Sequence, residues 1–302
     1  MKVKIKGEDV KLPDFLIVGA AKSGTTSLYA YLQQHPQIFM PKNKEPCFFS
    51  FAEIEKKGSN VIKGLNIITD FHNYLDLFKE VNNSHILGEA STTYLYLYEE
   101  TIKNIKKYHP NWKELKIIII IRDPAERAFS HYLNVSASGL NLSFEKVIEK
   151  WKLKQLSKYN NYIDYGFYYN QIKSYKDNFD QVKVYLFDDL DANSTMLVKD
   201  LLAFLDVDTS VNIETSLKYN VSIDSNNKLL SRLIYKPNML KGIIKRLLSK
   251  EVRVRIKNKI LESFSNKPHL KSSCRKFLKE IYKEDILKLQ DLIHKDLTRW
   301  IK

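Results

Sequence analysis

Five consecutive isoleucines, Ile117 to Ile121, with Lys116 before them and Arg122-Asp123-Pro124 after, constrain this chain more than any other stretch. A β-branched run without polar interruption suits a strand covered on both faces, and such strands belong to parallel sheets flanked by helices. Partner strands are available: Phe15 to Val18, Ile38 to Met40, His85 to Gly88 and Val182 to Phe187 are apolar, and helix-periodic segments lie between them. The expectation is an α/β fold of three layers, with a central mostly parallel sheet flanked by helices and right-handed crossovers. With 302 residues, 44% of them hydrophobic, the chain suffices for one large domain over 1–302, of which 210–302 reads as a helical, basic C-terminal portion.

Ligands of open α/β sheets bind at the carboxyl ends of strands, so the segments that follow the strands hold the chemistry. After Phe15-Leu16-Ile17-Val18 comes Gly19-Ala20-Ala21-Lys22-Ser23-Gly24-Thr25-Thr26-Ser27-Leu28. Small residues, a lysine and hydroxyls opening an amphipathic run read as an anion-cradling loop at a helix N-terminus. Lys22 adds a point charge, while Gly19 and Gly24 admit close approach of the backbone. In the nucleotide-triphosphate loop G-x-x-x-x-G-K-[ST] the lysine follows the second glycine; here Lys22 precedes Gly24 and Thr25 stands in the lysine's place. The helix should stop before His35-Pro36, with His35 helping to end it.

Elsewhere the chain offers two carboxylates. Pro41 to Pro46 forms a proline-bounded loop with Lys42, Lys44 and Glu45, and Glu45 is either a base or a carboxylate paired with a neighbouring lysine. Glu89 lies in the strand-to-turn segment His85 to Leu95, in a catalytic or a structural role. Residues 51–84 read as an insertion with short helices around Tyr74 to Phe78 that could shape an acceptor cleft, and Met1 to Asp14 as an exposed lead-in or edge strand. A helix from Pro124 would present Arg127, Ser130 and His131, and another is expected over Thr195 to Leu205. Phe144, Val147, Ile148 and Trp151 share a helical face, and Leu278, Ile281, Tyr282, Ile286, Leu289, Ile293, Leu297 and Trp300 form the stripe of a last helix.

The formal charge is +14, and Lys236 to Lys259 carries nine Lys/Arg against one Glu. Leu240, Ile243, Ile244, Leu247 and Leu248 among these cations suggest a basic amphipathic helix, which is either a solvated face or a peripheral contact with an anionic membrane surface or glycan. No nucleic-acid motif accompanies it. Cys47 and Cys274 form no C-x-x-C unit, and the seven histidines show no ligand spacing, so neither a disulfide framework nor a metal is expected. The apolar run ending at Ala21 is too short for a signal peptide core or a membrane span. A cytoplasmic protein is expected, with the inner membrane surface as the place of any peripheral contact.

On these residues the chain resembles the sulfotransferases that use 3′-phosphoadenosine 5′-phosphosulfate (PAPS), in particular the bacterial and carbohydrate, heparan-sulfate-type, domains. K-S-G-T-T-S-L, residues 22–28, resembles their 5′-phosphosulfate loop, which implies donor binding by Lys22, Ser23, Gly24, Thr25, Thr26 and Ser27. I-R-D-P-A-E-R-A-F-S-H-Y, residues 121–132, resembles their 3′-phosphate segment, which implies that Arg122 and Ser130 bind that phosphate. Lys44, Glu45, Phe48 and Phe49 match the segment K-E-x-x-F-F, whose glutamate takes the acceptor's proton; Lys22 and Glu45 are then the catalytic pair. Cys47 stands where some relatives carry histidine, so a histidine-assisted variant is not expected. Gly88 to Tyr94 resembles G-E-x-[ST]-x-x-Y, which approaches the acceptor, and Tyr165 to Tyr169 resembles a G-x-Y segment in which Tyr168 either helps close the pocket or is a packed aromatic. Lys44, Glu89 and Tyr168 are the substrate-side candidates.

Beyond about residue 210 the match thins, and Lys218, Lys228 and Arg232 are candidates without an assigned role for a basic loop over the donor. The resemblance implies a three-layer, P-loop-like α/β fold and transfer of a sulfuryl group to a hydroxyl or amine of a carbohydrate or glycolipid, without a metal. Two rivals stand beside it: a nucleotide or small-molecule kinase of the P-loop type, and a non-catalytic protein that binds anionic glycans.

Overall fold

The computed structural model describes residues 2–5, 8–52, 67–79, 81, 85–136, 142–156, 162–217 and 269–302. The chain opens with β1 (Lys2–Ile5) and β2 (Glu8–Lys11), then β3 (Phe15–Gly19), α1 (Thr25–Leu32), β4 (Ile38–Phe39), α2 (Phe48–Phe51) and α3 (Phe71–Leu75). It continues through β5 (Ile86–Ala90), α4 (Thr93–Tyr96), α5 (Tyr98–Tyr108), β6 (Lys116–Ile121), α6 (Pro124–Ser136) and α7 (Phe144–Lys152). Last come α8 (Tyr168–Asn178), β7 (Val182–Leu186), α9 (Phe187–Ala192), α10 (Ser194–Phe204) and, among the described residues, α11 (Ser272–Ile293).

The isoleucine run is β6, and it is central. The sheet order is β4-β5-β3-β6-β7 with every neighbouring pair parallel, Leu16 standing opposite Glu89 on one side and Ile117 on the other. Because successive side chains of a strand face opposite ways, the run feeds two cores. Ile117, Ile119 and Ile121, with Leu16 and Val18, pack under a layer built from α2, α4, α5, α6, α8 and α11. Ile118 and Ile120, with Phe15 and Ile17, pack against α1, α9 and α10. This is the expected three-layer α/β arrangement.

Connectivity fixes where the site can be. The chain leaves β3 toward β4 on one side of the sheet and leaves β6 toward β7 on the other. The direction of winding therefore reverses between β3 and β6, and a crevice opens at their carboxyl ends. The residues that enter it are those after Gly19 and those after Ile121.

Three expectations need correction. Instead of a lead-in or single edge strand, the N-terminus forms a separate antiparallel hairpin in which Val3 stands opposite Val10; its alternation of lysine with apolar residues suits a strand, and each strand supplies the other's backbone partners. Phe187, read as the end of a strand, opens α9 because Asp188 and Asp189 fall in the first helical turn, where negative charge is favoured. The C-terminal stripe is not one helix: α11 ends at His294 (φ 52°), and Leu297 and Trp300 return in a 3-10 turn, both buried. Leu297 N–H donates to Gln290 Oε1 at 2.9 Å to hold that return. The basic stretch 236–259 and Lys218, Lys228 and Arg232 lie outside the described residues.

Gly88 of β5 marks the tightest packing beside the site. A Cβ there would stand 2.1 Å from Phe15 Cζ and 2.4 Å from Met40 Sδ. Gly88→Ala is therefore expected to lower the unfolding free energy by about 1–3 kcal/mol, read from urea titration followed by circular dichroism.

Candidate active site

The loop after β3 turns sharply. Lys22 (φ 68°) and Gly24 (φ 98°) lie in the left-handed region, and a Cβ at Gly24 would meet Leu190 Cδ2 at 2.8 Å, so this position needs both the freedom and the smallness of glycine. Gly24 is the N-cap of α1, and Ser27 and Leu28 are the first residues whose N–H groups return to its carbonyl, at 2.9 and 3.2 Å. The preceding amides lie before any i−4 acceptor, at the positive end of the helix dipole. Lys22, Gly24, Thr25, Thr26 and Ser27 line a cleft of about 690 Å³. Lys22 Nζ donates to Asn134 Oδ1 of α6 at 3.3 Å across it.

The opposite wall follows β6. Asp123 Oδ1 accepts from the N–H groups of Ala125 and Glu126 at 2.8 and 3.3 Å, so this carboxylate is used in capping α6. Burial raises its pKa, against those hydrogen bonds. Arg122 enters the cleft with its guanidinium 4.8 Å from the Phe187 ring and Nη2 3.5 Å from Glu126 Oε2. Ser130 is two turns along α6 and lines the same cleft, as do His131 and Asn134.

His131 has a defined tautomer. The wholly buried Arg127 donates to its Nδ1 at 3.3 Å, and since arginine only donates, the ring proton sits on Nε2. Burial first, then the cations Arg127 and Lys22, hold the His131 pKa well below its ordinary value. The cleft therefore contains a neutral imidazole.

Glu45 reaches the cleft from the loop before α2. Its backbone is also left-handed (φ 62°), its N–H donates to Ala90 O at 3.0 Å, and Thr92 Oγ1 donates to Oε2 at 3.4 Å. Lys44 Nζ donates to Oε1 at 2.7 Å, so the anticipated pairing with a neighbouring lysine is present while Glu45 stays in the cleft wall. Non-glycine residues in the left-handed region cost roughly 1–3 kcal/mol each, and such positions concentrate at functional sites. Here Lys22 and Glu45 occupy two of them in one cleft.

Behind the wall lies the other carboxylate. Glu89 is buried and accepts from Ser91 Oγ at 2.6 Å, Tyr94 OH at 2.7 Å and Tyr74 OH at 3.3 Å. Two of those hydroxyls in turn accept from the loop that carries Glu45: Cys47 N–H donates to Ser91 Oγ at 3.0 Å and Phe49 N–H to Tyr94 OH at 3.2 Å. Burial raises the Glu89 pKa to about 7 although its three hydroxyl partners pull it down.

The structure thus brings Lys22, Gly24, Thr25, Thr26, Ser27, Glu45, Arg122 and Ser130 to one cleft. It keeps four candidates out. Ser23 and Tyr168 are fully buried, Glu89 is buried outside the lining, and Lys44 supports Glu45, also from outside it. Tyr168 is a packed aromatic whose hydroxyl donates to the Arg122 carbonyl at 3.1 Å. Sequence reasoning did not single out Thr92, Glu126, Asn134, Phe187 and His269, which line the cleft too. A helical signal existed for Asn134, one turn beyond Ser130; none existed for His269, which arrives from the far end of the chain. Among the described residues no group of three His, Cys, Asp or Glu could hold a metal, and no helix is long and apolar enough to cross a membrane.

Fold and cleft define an α/β protein with two cationic walls at a sheet's switch point. Residues 13–210 match the family model described as the sulfotransferase family, and the chain belongs to that family. It is 29% identical to a sulfotransferase from Alicyclobacillus acidocaldarius of known crystal structure, which aligns over 97% of this chain and all of that one with a TM-score of 0.71. A bifunctional heparan sulfate N-deacetylase/N-sulfotransferase 3 of Mus musculus is 26% identical over 311 residues, covering 97% of this chain and 31% of its own length. The mouse sulfotransferase SULT7A1, solved in complex with PAP, shares the fold at 16% identity and a TM-score of 0.50 over 94% of each chain. The chain spans at most about a third of the length of the curated relatives it matches.

The raised pKa of Glu89 has a sign that stability measurements can read. Between the ordinary glutamate pKa of about 4.3 and about 7 the folded chain keeps a proton that the unfolded chain has released, so Glu89 withdraws stability as pH rises through that window. The thermal midpoint of the wild type should fall from pH 5 to pH 8 by more than that of Glu89→Gln. Parallel curves would contradict the burial assigned to this carboxylate.

Proposed function

We propose that this chain transfers a sulfuryl group from PAPS to a hydroxyl or amine of a carbohydrate acceptor. The observation that carries the reading is the cleft itself: a lysine-bearing loop at a helix N-terminus, Arg122 at the end of β6 and Ser130 on α6 line one hollow at the β3/β6 crevice. These are two anion sites of different build in a volume of a size that takes a nucleotide. PAPS would supply the activated sulfuryl group.

Arg122 offers a planar guanidinium for two phosphate oxygens, Ser130 offers a hydroxyl, and the Phe187 ring beside Arg122 gives an apolar wall for a base. Lys22 and the first-turn amides of α1 stabilise negative charge that gathers on the leaving phosphate. Glu45 takes the acceptor's proton, oriented by Lys44 and Thr92. Neutral His131 adds no charge of its own to the cleft and offers its Nε2–H as a donor. Positioning and charge stabilisation by these side chains account for the chemistry.

A carbohydrate acceptor is supported by the similarity, over nearly the whole chain, to the heparan sulfate N-deacetylase/N-sulfotransferase. Calorimetry of the full chain with adenosine 3′,5′-bisphosphate, beside ATP with Mg²⁺, tests the donor. Metal-independent binding of the bisphosphate is expected, weakened about 10- to 100-fold in Arg122→Ala, as for loss of a charge-assisted phosphate contact. Preference for ATP with Mg²⁺ would favour a kinase instead.

A further inference from the structure

Arg122 is tied at its carbonyl and loosely paired at its guanidinium, and both contacts lead to α11. On the backbone side, its carbonyl accepts from Tyr168 OH at 3.1 Å. Tyr168 opens α8, and Asp285 of α11 caps that helix, accepting from the N–H groups of Tyr168 at 2.8 Å and Tyr169 at 3.2 Å. On the side-chain side, Arg122 Nη2 faces Glu126 Oε2 at 3.5 Å, and Glu126 Oε1 is ion-paired with Arg275, again of α11.

Glu126 creates a difficulty that Arg275 resolves. It lines the cleft beside Arg122, where a carboxylate repels an entering phosphate and competes with it for the guanidinium. The Arg275 guanidinium holds the other carboxylate oxygen and offsets that charge. The 3.5 Å contact between Arg122 and Glu126 is long for a charge-assisted hydrogen bond, so Arg122 is held loosely enough to change partners. His269, just ahead of α11, lines the same cleft, so this end of the chain stands at the donor site.

Resting on the donor site proposed above, we infer that Arg275 is a positioning residue for the 3′-phosphate: by holding Glu126 it leaves Arg122 to the ligand. Arg275 itself touches no ligand. Its removal lets Glu126 close on Arg122, and the loss falls on the 3′-phosphate alone.

The experiment is calorimetric titration of the full chain with adenosine 3′,5′-bisphosphate and, separately, adenosine 5′-monophosphate at low ionic strength. Wild type should prefer the bisphosphate; failure to do so would refute the donor site and this inference with it. Given that preference, Arg275→Ala should weaken the bisphosphate about tenfold and leave the monophosphate within about twofold, as expected for one charge acting at one phosphate. Glu126→Gln alone should bind the bisphosphate at least as tightly as wild type, and Glu126→Gln with Arg275→Ala should regain most of the loss. Equal losses for both ligands in Arg275→Ala, or no recovery in the double variant, would overturn the role of Arg275 and leave the donor site standing. If Arg275→Ala fails to fold, Glu126→Gln still decides: weakened bisphosphate binding there would contradict the competition on which the inference rests.

Discussion

Parallel pairing of β3 with β6 is the constraint on which the rest depends. It sets the carboxyl ends of two buried strands side by side, so the loop with Lys22 and the segment with Arg122 open into one crevice although a hundred residues separate them in the chain. That pairing is enforced from both faces. Ile117, Ile119 and Ile121 belong to one core, Ile118 and Ile120 to the other, and a one-residue slip would exchange the two sets. Apolar burial of the strand is thus what places two cations near each other.

Around that crevice the chain accepts unfavourable local states and offsets them with hydrogen bonds. Lys22 and Glu45 sit in left-handed backbone, and the buried carboxylate of Glu89 is held by three hydroxyls. Ser91 and Tyr94 link that carboxylate to the backbone of the loop carrying Glu45. On the other wall a buried Arg127 fixes the tautomer of His131. Each device uses a buried polar group to hold a cleft residue in one conformation, which is the condition for positioning to contribute to a reaction.

Much of this was legible in the sequence because it is written locally. The isoleucine run announces a doubly covered strand, the small residues and hydroxyls after Val18 announce an anion cradle, and Arg122 follows its strand directly. The substrate-side candidates Glu89 and Tyr168 came from the resemblance, each with a structural role as the alternative, and strand alternation and helix phase turn both into the interior, where they support Glu45 and Arg122. His269 and Arg275 carried no signal, since nothing local says that the last helix docks beside α6. The break at His294 was hidden too, because Leu297 and Trp300 keep helical spacing after the helix has ended.

Transfer of radiolabelled sulfate from PAPS to desulfated heparan-type polysaccharide, by wild type and by Lys22→Ala, tests the central claim most directly. Label should enter the polysaccharide with wild type and fall by about 100-fold or more when Lys22 is lost, the scale of removing a group that stabilises transition-state charge. Undiminished labelling by Lys22→Ala, or none from PAPS by wild type to any hydroxyl or amine acceptor, would contradict the account.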